Sequence, residues 1–295
     1  MKTFQIYIKA LRAPFFIVSI LPVIFGARAA YKLHGVFSLP YFVISICAMI
    51  FMHAGINVLN DYFDFKSGCD NINKAPLSPF AGGSQLIQKK LISAKATFIY
   101  GILLLCISLS IGVGLVFLKG LPILIIGLIG LVSGVCYSCP PFSLNYRGFG
   151  EIVVALNFGI LAVLGSFYLQ TNVISTEIIL YSLPVAMLAM AIVLINEFPD
   201  YNSDKQGGKR TIVVILGKKT AVYLFWVVML LTFLFLFLFP LNKMYLFFLL
   251  LIPLTIYAST QLFKFYKEDA LKLIPAIKST IMLHHLFIIM LIIGF

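Results

Sequence analysis

The sequence predicts an all-α membrane protein, a bundle of nine transmembrane helices forming a single domain over residues 1–295. Three observations carry this. Hydrophobic residues make up 61% of the chain and charged residues 11%, whereas a soluble domain averages about 45–50% and about 25%. Apolar runs close to the roughly 20 residues that a helix needs to cross about 30 Å of hydrocarbon recur along the chain. Lys and Arg, 22 against 10 Asp and Glu, gather in alternate connections, as the positive-inside rule requires. An ordinary soluble domain and a disordered chain are both excluded.

The spans fall at about 13–32, 39–60, 96–117, 120–138, 150–170, 177–198, 219–239, 244–262 and 275–294. The first follows Lys2, Lys9 and Arg12 and leads to Ala27-Arg28-Ala29, a pattern with some likeness to a signal peptide. Because eight more spans follow, it reads as a membrane helix rather than a cleaved segment. The second runs into an acidic stretch, and the third begins after Lys89, Lys90 and Lys95. Pro140-Pro141 ends the fourth, since proline lacks the amide hydrogen a helix needs. Glu151 opens the fifth; the sixth ends in a second acidic stretch, where Pro199 is a candidate kink. The seventh follows Lys218 and Lys219, the eighth precedes Lys264 and Lys267, and the ninth holds His284 and His285, which have no acidic partner in that span and read as structural.

With the N-terminus cytoplasmic, only Arg28, Lys32, Lys119 and Lys243 fall outside, and every other Lys and Arg falls inside. This asymmetry accounts for the net charge of +12 without nucleic acid. The five cysteines are odd in number, and only Cys69 sits in a clearly polar segment. Cys136 and Cys139 form a lone C-x-x-C and read as small buried residues, not as a zinc or disulfide framework.

The acids cluster at the cytoplasmic ends of spans. Asp61, Asp64 and Asp70 follow the second; Glu197, Asp200 and Asp204 end the sixth; Glu151 begins the fifth. Asn57, Asn60, Asp61 and Asp64 stand at i, i+3, i+4 and i+7, one face of a helix, with His53 one turn earlier. Asn196, Asp200 and Asp204 repeat the device at i, i+4 and i+8. Carboxylates one turn apart repel unless a cation lies between them. Mg²⁺ pairs one or two carboxylates with phosphate oxygens, so two facing clusters are suited to hold Mg²⁺ around a diphosphate through Asp61, Asp64, Asp200 and Asp204. Solvated helix ends are the plainer reading of one cluster; two on the same side favour the site, because ionisable groups near membrane depth are costly. Lys205, Gly207, Gly208, Lys209, Arg210 and Thr211 follow, a stretch whose glycines and cations suit an anion. Pro79 to Gln85 reads equally as a cover over the phosphate or as a turn. Tyr137 and Ser138 lie near the cytoplasmic end of the bundle, as an interfacial anchor or as part of the site. With 28 Phe, the interior suits a long hydrocarbon chain, although most of these rings face lipid or pack helices.

Asn57-x-x-Asn60-Asp61-x-x-Asp64 together with Asp200-x-x-x-Asp204 resembles the paired aspartate motifs of UbiA-type intramembrane prenyltransferases. Leu11-Arg12-Ala13-Pro14-Phe15 and Tyr137-Ser138-Cys139-Pro140-Pro141 resemble further stretches of that family. Asn60 through Asp70, Ala81-Gly82-Gly83-Ser84 and Asn196 through Thr211 are most similar to the branch that makes menaquinone. The 4-hydroxybenzoate and geranylgeranylglyceryl-phosphate branches usually carry Arg-Pro after the first motif; here Asn73 to Pro79 has no Arg, and Gln85 stands where a basic residue is common.

The resemblance implies Mg²⁺-dependent transfer of a polyprenyl group from a polyprenyl diphosphate to an aromatic acceptor, 1,4-dihydroxy-2-naphthoate, with loss of carbon dioxide. Another aromatic acceptor is the alternative. It further implies that Asn57, Asn60, Lys209 and Arg210 help bind the diphosphate. Tyr137, with Ser138 beside it, meets the allylic cation, and Arg147 meets the acceptor carboxylate. The site faces the cytoplasm of a prokaryotic plasma membrane, with the bilayer admitting the prenyl tail. A CDP-alcohol phosphotransferase is disfavoured by the absence of its D-G-x-x-A-R core. A transporter is disfavoured because transporter sites lie near the midplane on broken helices, whereas these acids lie at one face.

Overall fold

A computed structural model describes residues 3–72, 76–77, 80–239 and 245–295. Among these residues nine helical spans are long and apolar enough to cross a membrane, each overlapping one of the predicted runs. No β-strand occurs among them, as expected where lipid offers the backbone no hydrogen-bond partner. Lys2, Lys74, Lys243, the first residue of the eighth predicted span, and residues 73–75 and 78–79 of the Asn73–Pro79 stretch lie outside the described residues.

The first span is built of α1 (Thr3–Ala10), a 3₁₀ turn (Ala13–Phe15) and α2 (Phe16–His34). Arg12 joins them with φ +53°, a left-handed conformation that side-chain-bearing residues rarely adopt. Helix α3 (Leu39–Ser67) is followed by the short α4 (Cys69–Ile72), then α5 (Ala94–Lys119) and α6 (Leu121–Ser138). The Ser93 hydroxyl caps α5 by accepting from the Ala96 amide at 3.1 Å. Proline near the start of α3 and of α6 costs no helical hydrogen bond there.

The fifth span is not a uniform helix. α7 (Gly150–Val154) passes into a π-helical segment, Ala155–Leu161, before α8 (Ala162–Thr171). Then come α9 (Thr176–Gln206), α10 (Ile212–Leu216), α11 (Lys218–Leu234), α12 (Tyr245–Leu249), α13 (Ile252–Phe265) and α14 (Ile274–Gly294). Helix α9 continues through both Pro184 and Pro199, so Pro199 does not end it.

Helix α9 is the centre of the bundle. Val185, Leu188, Leu194, Ile195 and Phe198 are fully buried in the main apolar core with Phe225 of α11 and Phe287 of α14. The π segment lies against it so closely that a Cβ on Gly159 would stand 2.3 Å from the Ala186 Cα. By contrast α5 and α6 keep much of their apolar surface outward, Phe117, Leu121 and Val132 among it, as lipid-facing helices do. Both α3 and α9 extend past the apolar runs that predicted them, and these overhanging turns carry the acidic motifs.

Candidate active site

The overhanging turns of α3 and α9 border one cavity of about 210 Å³, lined by Asn57, Asn60 and Asp64 from α3 and by Asn196, Asp200 and Asp204 from α9. The helical spacing of the first motif sends its side chains to one face, as expected. Asp61 and Asp64 are both buried, and so is Asp204.

Each carboxylate of the first motif meets a cation. Arg12 Nη2 donates to Asp61 Oδ1 at 2.7 Å, and the Ser84 amide reaches the same oxygen at 3.3 Å. Lys209 Nζ donates to Asp64 Oδ2 at 3.2 Å, while the Tyr146 hydroxyl donates to Oδ1 at 2.7 Å. The Asn60 amide bridges Asp64 Oδ2 at 3.2 Å and Ser138 Oγ at 3.0 Å. In the second motif Asp200 Oδ2 accepts from the Gly82 amide at 2.8 Å, and Asp204 Oδ1 lies 3.4 Å from the Cys69 thiol.

The loop from Ala81 to Gln85 thus reaches both motifs through its own backbone amides. It needs left-handed backbone at Gly82, Gly83 and Gln85. A Cβ on Gly83 would stand 2.8 Å from Asp70 Oδ2 and 3.1 Å from both Arg12 Nη2 and Asp61 Oδ1, so the chain requires glycine there. Gln85 is buried and spends its amide on the Gly82 carbonyl, which makes it a brace for the loop.

The electrostatics follow from crowding. Burial, then the charges of Asp64 and Asp61, push the Asp70 carboxyl up to about 8 against the opposing pull of Lys209 and Arg12. Burial alone would lower Lys209, but Asp64 and Asp204 hold its ammonium well above the usual lysine range. Burial and then the Asp64 charge raise the Tyr146 hydroxyl, keeping it a donor.

The available donors suit a hard divalent cation. They are carboxylate and amide oxygens, and Asp61 Oδ2 is buried with no hydrogen-bond partner. In this arrangement Arg12 and Lys209 engage the carboxylates instead. Among the described residues no three His, Cys, Asp or Glu side chains gather closely enough to hold a metal ion.

The structure places the other expected residues unequally. Tyr137 and Lys209 line the cavity. Ser138 is buried behind it and orients Asn60. Arg147 does not enter the cavity: its side chain is exposed and donates to the Pro141 carbonyl at 2.7 Å. Arg210 is exposed as well and contributes its backbone amide to the Tyr146 carbonyl at 3.1 Å. The resemblance implies Arg147 at the acceptor carboxylate and Arg210 at the diphosphate, but each adjoins a residue that turns inward, Tyr146 and Lys209, while it turns out. Arg12 and Tyr146 were missed as partners of the carboxylates. Pro14, two residues after Arg12, is visible in the sequence, but nothing local shows that the chain breaks there to swing the guanidinium onto Asp61.

A second, apolar cavity of about 200 Å³ adjoins the first, and the two share Ile56, Asn157 and Phe158. Asn157 and Phe158 belong to the π segment. The Phe158 ring lies 4.5 Å from the buried His53 ring, tilted by 37°, and His53 Nδ1 lies 2.9 Å from Ser19 Oγ.

The profile described as the UbiA prenyltransferase family matches residues 19–284. The chain belongs to the UbiA prenyltransferase family. It is 32% identical over 209 residues to the 1,4-dihydroxy-2-naphthoate octaprenyltransferase of Bacillus subtilis, covering 70% of this chain and 64% of that protein. It is 29% identical over 211 residues to the UbiA prenyltransferase domain-containing protein 1 of Danio rerio, covering 72% of this chain and 61% of that one. The chain therefore matches less than two thirds of the length of these relatives. In three dimensions it resembles a UbiA homologue from Archaeoglobus fulgidus bound to GPP and Mg²⁺, with a TM-score of 0.66 and 18% identity over 96% of this chain and 99% of that one. This last likeness concerns the fold. Within the UbiA fold, the two acidic helix ends, the loop across them and the joined polar and apolar cavities are the features this chain builds from its own residues.

Proposed function

We propose that this UbiA-family chain transfers a polyprenyl group from a polyprenyl diphosphate to an aromatic acceptor, 1,4-dihydroxy-2-naphthoate with loss of carbon dioxide. The observation that carries the reading is the junction of a carboxylate-lined cavity with an apolar one through Ile56, Asn157 and Phe158. A prenyl diphosphate has the same division, an anionic head joined to a hydrocarbon tail. The choice of acceptor is supported by the similarity to the Bacillus subtilis relative, whose name carries that substrate.

Asp61, Asp64, Asp200 and Asp204, with Asn57 and Asn60, would hold Mg²⁺. The bound cation supplies positive charge to the diphosphate oxygens. Lys209, already within the cavity, neutralises the charge that grows on the leaving diphosphate as its C–O bond breaks. The Tyr137 ring presents a π face to the allylic carbon. The apolar wall of Ile56 and Phe158 keeps water from that carbon until the ring of the acceptor attacks. The positive-inside bias supports a cytoplasmic position for this end of the bundle; in this reading the membrane is a prokaryotic plasma membrane.

The test is incubation of the purified chain with Mg²⁺, geranylgeranyl diphosphate and a mixture of aromatic acceptors, read by mass spectrometry. A prenylated, decarboxylated naphthoquinol is expected. Prenylation of a different acceptor keeps the chemistry and replaces the substrate. Absence of product with every donor length and acceptor overturns the reading.

A further inference from the structure

Two acids take no part in the aspartate motifs. Glu197 of α9 lines the polar cavity beside Tyr137. Glu151 of α7 stands behind it and is 0% exposed. The two carboxyls are within hydrogen-bonding reach of each other. Carboxylates this close repel when both are ionised, and helix α7, which carries Glu151, packs against α9. No Lys, Arg or His forms an ion pair with either acid among the described residues. The Val213 amide, 3.3 Å from Glu197 Oε2, is the donor that the backbone provides, and both Glu151 oxygens are buried without a protein donor.

A second observation points to a polar ligand at this place. Asn145 is 3% exposed, lines the same cavity, and neither its Nδ2 nor its Oδ1 has a partner. Asn196 Oδ1, one residue before Glu197, is buried and unpartnered as well. Buried amides left unpaired are costly, and here they border a cavity that a hydroxylated ring would fill with donors and acceptors.

The geometry points to Glu197, backed by Glu151, as the group that takes and returns the acceptor's proton. This rests on the prenyl transfer proposed above. The acceptor hydroxyl O–H bond breaks and its proton passes to a Glu197 oxygen, while the electron pair moves into the ring. The ring carbon bonds to the allylic carbon, and the C–O bond to the diphosphate breaks with its pair leaving on the diphosphate. With a carboxylated acceptor, the bond to carbon dioxide then breaks, its pair restores the ring, and the ring oxygen recovers the proton from Glu197. No proton is gained or lost overall. Glu151 is a positioning residue in this scheme, since it touches Glu197 and not the ligand.

The experiment uses the full chain in lipid nanodiscs with Mg²⁺, geranylgeranyl diphosphate and 1,4-dihydroxy-2-naphthoate. Glu197→Gln is expected to lower kcat by about 10²–10⁴-fold while binding of geranylgeranyl thiodiphosphate stays unchanged. Glu151→Gln is expected to lower kcat by about tenfold. Added formate is expected to restore turnover to Glu197→Ala, a rescue that a merely structural role would not show. Wild-type kcat in Glu197→Gln, or a failure of formate to rescue a Glu197→Ala protein that still binds the thiodiphosphate, overturns the proposal. If Glu197→Gln no longer binds the thiodiphosphate, Glu151→Gln decides, and unchanged kcat there overturns it. A wild-type chain that prenylates no acceptor overturns the function and this role together; an active wild type with an unaffected Glu197→Gln removes the proton role alone.

Discussion

Asp61 and Asp64 share a helix face but not a set of partners, and the difference assigns each residue its own test. Asp61 meets a guanidinium at 2.7 Å and leaves Oδ2 unpartnered; Asp64 is held by Lys209, Asn60 and Tyr146 together. Replacing Asp61 or Asp200 by Asn preserves shape and removes charge, so turnover should fall by at least about 10²-fold, the scale of losing one electrostatic stabiliser, while the protein still inserts and folds. Wild-type rates in both variants would remove the metal assignment. Tyr146→Phe deletes the hydrogen bond to Asp64 and the one shared with Ser67 Oγ at 2.6 Å, and leaves the cavity's other partners in place. Partners of metal-binding groups typically change affinity by about 10–100-fold, so titration of activity with Mg²⁺ should show a raised requirement and a nearly normal rate at saturation. The aspartates were legible because their spacing matches one helix face. Arg12 and Tyr146 were not, since they reach Asp61 and Asp64 across 49 and 82 positions of chain, and spacing reports only neighbours on one element.

The fifth span shows what hydropathy reads and what it leaves out. Its apolar length predicted a crossing, and a crossing is there. The π-helical Ala155–Leu161 within it left no trace, because one widened turn changes neither length nor composition. That widening matters for the site: it presents Asn157 and Phe158 where the polar and apolar cavities meet, in keeping with the frequent use of π turns at functional positions. The apposition depends on Gly159 lying against Ala186. Gly159→Leu should therefore destabilise by about 1–3 kcal/mol or more, the range for overpacking a filled interior, seen as a lower midpoint in detergent unfolding. An unchanged midpoint would mean that α9 yields at Ala186 without cost. Pro199 does not end α9, which runs on to Gln206 and carries Asp200 and Asp204 on the same helix.

Across the whole molecule, span number was the most legible property, since hydrophobic length acts through the solvent rather than through contacts; Lys/Arg placement predicts the orientation by the same route. The prediction at this scale is vectorial. In a cysteine-free background, Lys32→Cys should react with an impermeant maleimide in intact cells, and Lys205→Cys should react only after permeabilisation; the reverse pattern would turn the site outward. Arg12 and Lys209 give this arrangement a further meaning. Two side-chain ammonium and guanidinium groups already sit on the carboxylates that a divalent ion would use. A divalent ion using these carboxylates would therefore exchange with Arg12 and Lys209 rather than add to them, and would free their charges for a diphosphate. Once the product anion had left, Arg12 and Lys209 would reclaim Asp61 and Asp64. A chain that carries its own replacement counterions resists idle capture of stray ions and need not hold on to a spent leaving group.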